Sequence, residues 1–347
     1  MIPFTFQNPA TIDTALRAVR TEDSMPLAGG TTLVDLMKIN VLKPQTLVHV
    51  SPILDNSILI AGDKVTIGAA VTMAQLAENE QLQRLFPAIR HSLIQAASPQ
   101  IRNMATMAGN LLQRTRTAYF RHQDLRERDD EVQRTDMPFG ADADTSSLAI
   151  IGHNGRLVGT YPGDFANVFV AFGGEVNLIS SEGKRTVVAK DLYRLPEKAI
   201  QYESTLKPGE LIASITLPLT ETARNSLYYK IRERSSYAFA LASAAIGLQM
   251  DGNGSLAKIT KANVALGGLA PIPWNSVAAV QKLEGASASD ETFAVAANAA
   301  LVGAQPPAGS EFKVDVAKKM LIRALQTLRD QGPMTDATIL SMQHGRS

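Results

Sequence analysis

The apolar positions of this chain change period several times, and each change marks an element. Residues 11–20 set Ile12, Ala15, Leu16 and Val19 at helical spacing behind Thr11, a residue type suited to an N-cap. A short strand should end near Pro26, Leu27 and Ala28, followed by a helix through Leu33, Leu36 and Met37. Residues 46–50 alternate as a strand does, while 57–60 and 64–68 read as a hairpin turning at Ala61-Gly62-Asp63. Helices are expected over 71–78 (Thr72 as cap), 86–97 and 166–172, with strands over 175–179 and 211–217. Beyond residue 220 small residues dominate. The run 240–250 fits a helix or a buried strand by period alone, and tandem strands are favoured because 259–266 reads as a partner strand. Helical spacing returns over 289–302 and 314–329.

This order of elements describes an α+β chain rather than a doubly wound sheet. At 347 residues it is too long for one ordinary core, so two or three packed units are expected. The divisions fall at 1–67, at 68–222 with an irregular charged insertion over 113–146, at 223–332, and at a tail over 333–347. An irregular stretch of that length inside a unit predicts a functional or partner-contacting segment.

Composition removes several classes of chemistry. There are no cysteines, which excludes disulfides, thiol nucleophiles and thiolate-held zinc or iron–sulfur centres within this chain. The five histidines lie without ligand spacing, so no metal site is expected. Formal charge is +1, which provides no general attraction to nucleic acid or an anionic membrane. Arginines 114, 116, 121, 126 and 128 cluster, but Asp124, Glu127, Asp129 and Asp130 are close enough in sequence to neutralise them. No apolar run reaches membrane-span length. The first residues lack a basic stretch followed by an apolar core, so this sequence by itself predicts a cytoplasmic chain, or a periplasmic one if a partner exports it.

Two Gly-rich stretches carry the candidate chemistry. One is Ala28-Gly29-Gly30-Thr31-Thr32-Leu33, and the other runs from Arg102 through Thr106 to Gly109 and Asn110. Successive backbone N–H groups in such turns make concave anion sites, and two of them suggest a diphosphate held from two sides. Neither has the Gly-x-Gly-x-x-Gly spacing of the doubly wound nucleotide fold or the lysine of a P-loop. Each could also be a plain turn. Tyr161-Pro162-Gly163-Asp164-Phe165 puts a carboxylate at a helix start, where it can be an N-cap or accept from a polyol. Residues 228–237 mix three tyrosines with three cations and read as a surface strand or as a segment beside a planar ring. Valine at Gly29 or Gly30 is expected to block a phosphate's approach and expel the ligand without unfolding the chain.

With these residues in view, the chain resembles the FAD-binding medium subunit of molybdenum hydroxylases, the xanthine dehydrogenase, aldehyde oxidoreductase and carbon monoxide dehydrogenase type. The resemblance rests on residues 28–38, 100–112 and 161–165, is supported by 207–212 and 229–243, and extends from Phe4 to about Arg329. It implies two N-terminal subdomains of the vanillyl-alcohol-oxidase (PCMH) FAD-binding fold and a C-terminal α+β domain. Position by position, Ala28, Gly29, Gly30, Thr31, Thr32 and Leu33 would wrap the FAD pyrophosphate. Thr106, Gly109 and Asn110 would line its other side and the ribityl chain. Asp164 would bind hydroxyls, Ile212 would pack near adenine or the ring, and Lys230 would lie by the isoalloxazine.

The implied role is electron transfer within a heterotrimer. A large molybdopterin subunit would oxidise an aldehyde or N-heterocycle, a small subunit would carry 2Fe-2S clusters, and this chain would pass electrons to an external acceptor. No residue of this chain is expected to act on the organic substrate. Some members resembling the 110–121 segment carry a four-iron cluster there. Thr117 stands where the first cysteine would be, so that cluster is expected to be absent. Two alternatives are a free-standing FAD oxidase of the same fold and a scaffold subunit that has lost FAD.

Overall fold

The computed structural model describes residues 1–121, 145–154, 158–196 and 203–342. Most of the irregular stretch singled out above, with Asp124, Glu127, Asp129 and Asp130, lies outside the described residues.

The first unit is a parallel three-stranded sheet. Strands β1 (Thr5–Gln7), β2 (Ser24–Leu27) and β3 (Thr46–His49) run in the order β1-β3-β2. Parallel neighbours need crossovers, and the helices Ile12–Ala18 and Leu33–Lys38 fill them. Thr11 caps the first of these by accepting from the Thr14 N–H, as its sequence position suggests. Ala15, Leu16, Val19, Val48 and Val50 form a small core that also takes in Leu211 of the second unit.

A five-stranded antiparallel sheet carries the second unit. Its strands are β4 (Ile58–Ala61), β5 (Lys64–Gly68), β6 (Glu175–Ser180), β7 (Gly183–Val188) and β8 (Leu211–Pro218), in the order β4-β5-β8-β6-β7. The hairpin β4-β5 joins this sheet through β5 and β8, with Ile67 opposite Ile215. Its hydrogen bonds therefore go to the second unit, although in sequence it follows directly on the first. Helices Pro87–Ile94 and Asp164–Ala171 contribute to the large core that this sheet shares.

The third unit is antiparallel, in the order β12-β11-β10-β9. Its strands are β9 (Ser226–Ile231), β10 (Ala242–Asp251), β11 (Lys258–Gly267) and β12 (Trp274–Asn275). The 240–250 run is strand, and burial on both faces explains its composition. Ala245 faces the second unit's core, whereas Ala244 and Ile246 face the core built by helices Val277–Leu283, Asp290–Ala300 and Phe312–Gln331. A strand covered on both faces has no polar side to alternate with, and so its period disappears.

Candidate functional site

The first Gly-rich stretch leaves β2 and turns directly into the helix Leu33–Lys38. Gly30 makes the turn with φ +73, a backbone that side-chain-bearing residues rarely adopt. Its carbonyl accepts from the Val34 N–H at 3.0 Å, which starts the helix. Thr32 occupies the N-cap position but makes no side-chain cap hydrogen bond. The second stretch is pinned to the chain at 71–73, with Met73 N–H donating to the Ala105 carbonyl at 2.9 Å and Met107 N–H to Val71 at 2.8 Å. Thr106 caps the short helix Met107–Leu111 by accepting from the Gly109 N–H.

The two stretches touch. A Cβ at Gly29 would stand 1.7 Å from the Met104 carbonyl oxygen and 3.3 Å from the Ala105 nitrogen. Position 29 is thus closed by the second loop's own backbone, which corrects the expectation that a side chain there would first meet a phosphate. The absent side chain lets two backbones pack.

Beside this junction lies a cleft of about 750 Å³, within the roughly 300–1,000 Å³ common for small-molecule sites. All three units line it. The first contributes Thr31, Thr32 and Asp35, and the second Asn110, Arg116, Tyr161, Asp164 and Asn167. Lys230, Phe239 and Ser243 come from the third. Of the twelve residues expected at a site, the cleft brings together Thr31, Thr32, Gly109, Asn110, Asp164 and Lys230. Ala28, Gly29, Gly30, Leu33, Thr106 and Ile212 are not in its lining. Ala28 packs against the first unit's core, and Ile212 is buried in β8 opposite Leu178.

Asp164 is not the N-cap that its position allowed, although it does line the cleft. The N-cap of helix Asp164–Ala171 is Gly163, and the carboxylate turns inward instead. Lys230 Nζ donates to Asp164 Oδ2 at 2.7 Å, and the Tyr228 hydroxyl donates to Oδ1. Lys230 Nζ also donates to the Gln95 carbonyl at 3.2 Å. At 1% and 5% side-chain exposure this is a buried ion pair, which survives only because the added hydrogen bonds satisfy both charges. Burial lowers the Lys230 ammonium from its ordinary value, and the Asp164 charge opposes that shift. Burial, with Asp164 beside it, raises the Tyr228 phenol well above its ordinary value. The sequence offered the three tyrosines and three cations of 228–237 as a surface strand or as a segment beside a planar ring, and the first of these does not hold throughout. β9 instead alternates them, sending Tyr228 and Lys230 inward.

A second charged group was not anticipated. Arg116 Nη1 donates to Asp35 Oδ2 at 2.7 Å, and Arg121 grips the same carboxylate with both Nη atoms at 2.9 and 2.8 Å. Arg116 also lies 5.5 Å from the Phe239 ring centre, a cation–π distance. The Arg121 and Arg116 guanidiniums hold the Asp35 carboxyl below its usual range. Among the described residues these two arginines share a carboxylate some eighty positions earlier, while the nearby acids expected to neutralise them lie outside the described residues. No local signal in the sequence could have paired them.

The two halves of this cleft-bearing architecture have separate family matches. Residues 2–220 match the model described as the FAD binding domain in molybdopterin dehydrogenase, and 227–328 match the CO dehydrogenase flavoprotein C-terminal domain. The chain belongs to this family. It is 35% identical over 335 residues to the aldehyde oxidoreductase FAD-binding subunit PaoB of Escherichia coli (strain K12), covering 95% of this chain and 100% of that one. It is 27% identical to the carbon monoxide dehydrogenase medium chain of Afipia carboxidovorans, over 94% of this chain and 97% of the relative. Among solved structures, the reconstituted CO dehydrogenase from Oligotropha carboxidovorans has a chain that superposes with a TM-score of 0.73. That match has 26% identity and covers 95% of this chain and 99% of the other.

FAD is the cofactor of this family, and the chain is an oxidoreductase component. The cleft fits such a ligand on its own terms. Among the described residues, Asn110 Oδ1, Asn167 Oδ1 and Arg116 Nε are buried in its lining with no hydrogen-bond partner. Buried polar atoms without partners are costly and rare, and three in one cleft lining leave room for a polar guest. Among the described residues, no helix is long and apolar enough to cross a membrane.

Proposed function

We propose that this chain is the FAD-carrying electron-transfer subunit of a heterotrimeric molybdenum hydroxylase, and that the three-unit cleft is where FAD sits. The carrying observation is a cleft of about 750 Å³ lined by hydroxyls, amides and a buried Lys230–Asp164 pair, with three buried polar atoms left unsatisfied. Bound FAD would relay electrons from 2Fe-2S clusters on a small partner chain to an external acceptor, while a large molybdopterin chain oxidises the organic substrate.

The residues of this chain bind and orient. Thr31 and Thr32 offer hydroxyls beside the first loop, and Asn110 and Asn167 offer unsatisfied amide oxygens. Lys230 supplies a fixed positive charge whose position Asp164 and Gln95 determine. Gly29, Gly30, Ala28 and Leu33 form the turn that presents the threonines, and Thr106 fixes the helix that presents Asn110. Ile212 supports the second unit's core beneath them. No group among these needs to move a proton on an organic substrate. The substrate is an aldehyde or an N-heterocycle, and the aldehyde oxidoreductase relative favours the aldehyde.

The test is spectroscopic. Purified full-length chain should show visible flavin absorption, either as isolated or after FAD is added. Absence of those bands in both conditions would sink the cofactor assignment and favour a scaffold. Aldehyde oxidation by the chain alone, without molybdopterin and iron–sulfur partners, would sink the subunit assignment and favour a free-standing oxidase.

A further inference from the structure

We propose that Arg116 is a direct ligand of the FAD diphosphate and that Asp35 is the residue that positions it. This rests on the cleft being the FAD site. The first Gly-rich loop brings no cation of its own, yet a diphosphate carries two negative charges. Among the described residues, four cations and three carboxylates line the cleft. Lys230 is committed to Asp164, and Arg234 donates to the Tyr237 carbonyl at its own exposed loop. Arg116 and Arg121 remain, both gathered on Asp35, which lies on the helical turn that follows Thr31 and Thr32.

The guanidinium of Arg116 is only partly used. One Nη is taken by Asp35, while Nε–H is buried and has no partner among the described residues. A buried guanidinium N–H that lacks an acceptor costs stability unless something in the cleft accepts from it. A phosphate oxygen is the acceptor whose charge and shape match this fork. Phe239 covers the guanidinium from the third unit and Asp35 holds its far edge, so the group is fixed before a ligand arrives. Arg121, bidentate on Asp35, keeps that carboxylate from swinging with Arg116.

The experiment is FAD titration of flavin-stripped full-length chain across a range of salt concentrations. The wild type should bind more weakly as salt rises, because a cation–diphosphate contact is screened. Arg116→Gln should raise Kd about 10- to 100-fold and flatten that salt dependence. Arg116→Lys should keep the salt dependence at intermediate affinity, since it retains the charge without Nε–H. Asp35→Asn separates positioning from charge. Removing a negative charge would tighten FAD binding, whereas losing the orienting group should weaken it, and weakening is expected.

Wild-type affinity in R116Q, or a loss that leaves the salt dependence intact, would overturn the ligand role. Should R116Q fail to fold, wild-type affinity in R116K would do the same. Tighter binding in D35N would overturn the positioning role. A wild type that takes up no FAD at all would overturn the functional reading as well, whereas unmoved variants of a FAD-binding wild type overturn this inference alone.

Discussion

At the scale of single residues, position 29 shows how a correct signal can have a different cause. The sequence marks Gly29 as a place where something comes close to the backbone, and the structure supplies the Met104 carbonyl as that neighbour. Even one added carbon must push two loops apart. Gly29→Ala is therefore expected to lower stability by about 1–3 kcal/mol, as overpacking does, and to reduce flavin content with it. Thermal unfolding together with the flavin-to-protein ratio checks this, and loss of flavin at an unchanged melting temperature would restore the simpler picture of a blocked ligand. Asp164 is a related case. Its position before an apolar run was legible, but whether its carboxylate turned to the helix amides or to Lys230 and Tyr228 was not. That choice depends on β9, more than sixty residues later in the chain.

At the scale of elements, local rules worked wherever the partners were near in sequence. Thr11 and Thr72 cap the helices they precede, the second with a full capping box, and the hairpin β4-β5 turns where Gly62 allows it. Elements that meet across the chain are different, and His91 illustrates them. It sits in helix Pro87–Ile94, and its Nε2–H donates to the Met334 carbonyl at 2.9 Å, next to the Arg90–Asp336 ion pair. Burial is the main reason its pKa falls from 6.5 to about 4. The Met334 carbonyl and the Asp336 carboxylate oppose that shift, and Arg90 adds to it.

The sign of the linkage follows from these values. Between pH 4 and 6.5 the unfolded chain holds a proton on this imidazole that the folded chain does not, so stability should fall as pH drops through that window. The loss amounts to on the order of 3 kcal/mol if this group acts alone. Melting temperatures of the wild type and His91→Gln, compared over that range, should diverge, with the variant less sensitive to acid. Parallel curves would mean that His91 titrates as it does in water.

At the scale of the whole molecule, the cleft belongs to no single unit. Thr31 and Asp35, Asn110 and Asp164, Lys230 and Ser243 come from three units, each built on its own sheet. A ligand bridging them favours the folded assembly over any partly opened one. Adding FAD at a hundred times its Kd should therefore stabilise the chain by about 2.7 kcal/mol, with a melting temperature that rises steadily with FAD concentration. A melting temperature indifferent to FAD would mean that the folded chain does not bind it.

Period, caps and turns, together with two Gly-rich stretches, determined most elements, the α+β class and the general kind of ligand, because those depend on contacts within a few residues. The hydrogen-bonding of β4-β5 into the second sheet was beyond reach of the sequence, because strand pairing across about 150 residues leaves no local trace. So were the pairing of Arg116 and Arg121 with Asp35 and the burial of Lys230 against Asp164. Charge neutralisation and desolvation depend on which side chains share a volume, and only the packed chain decides that.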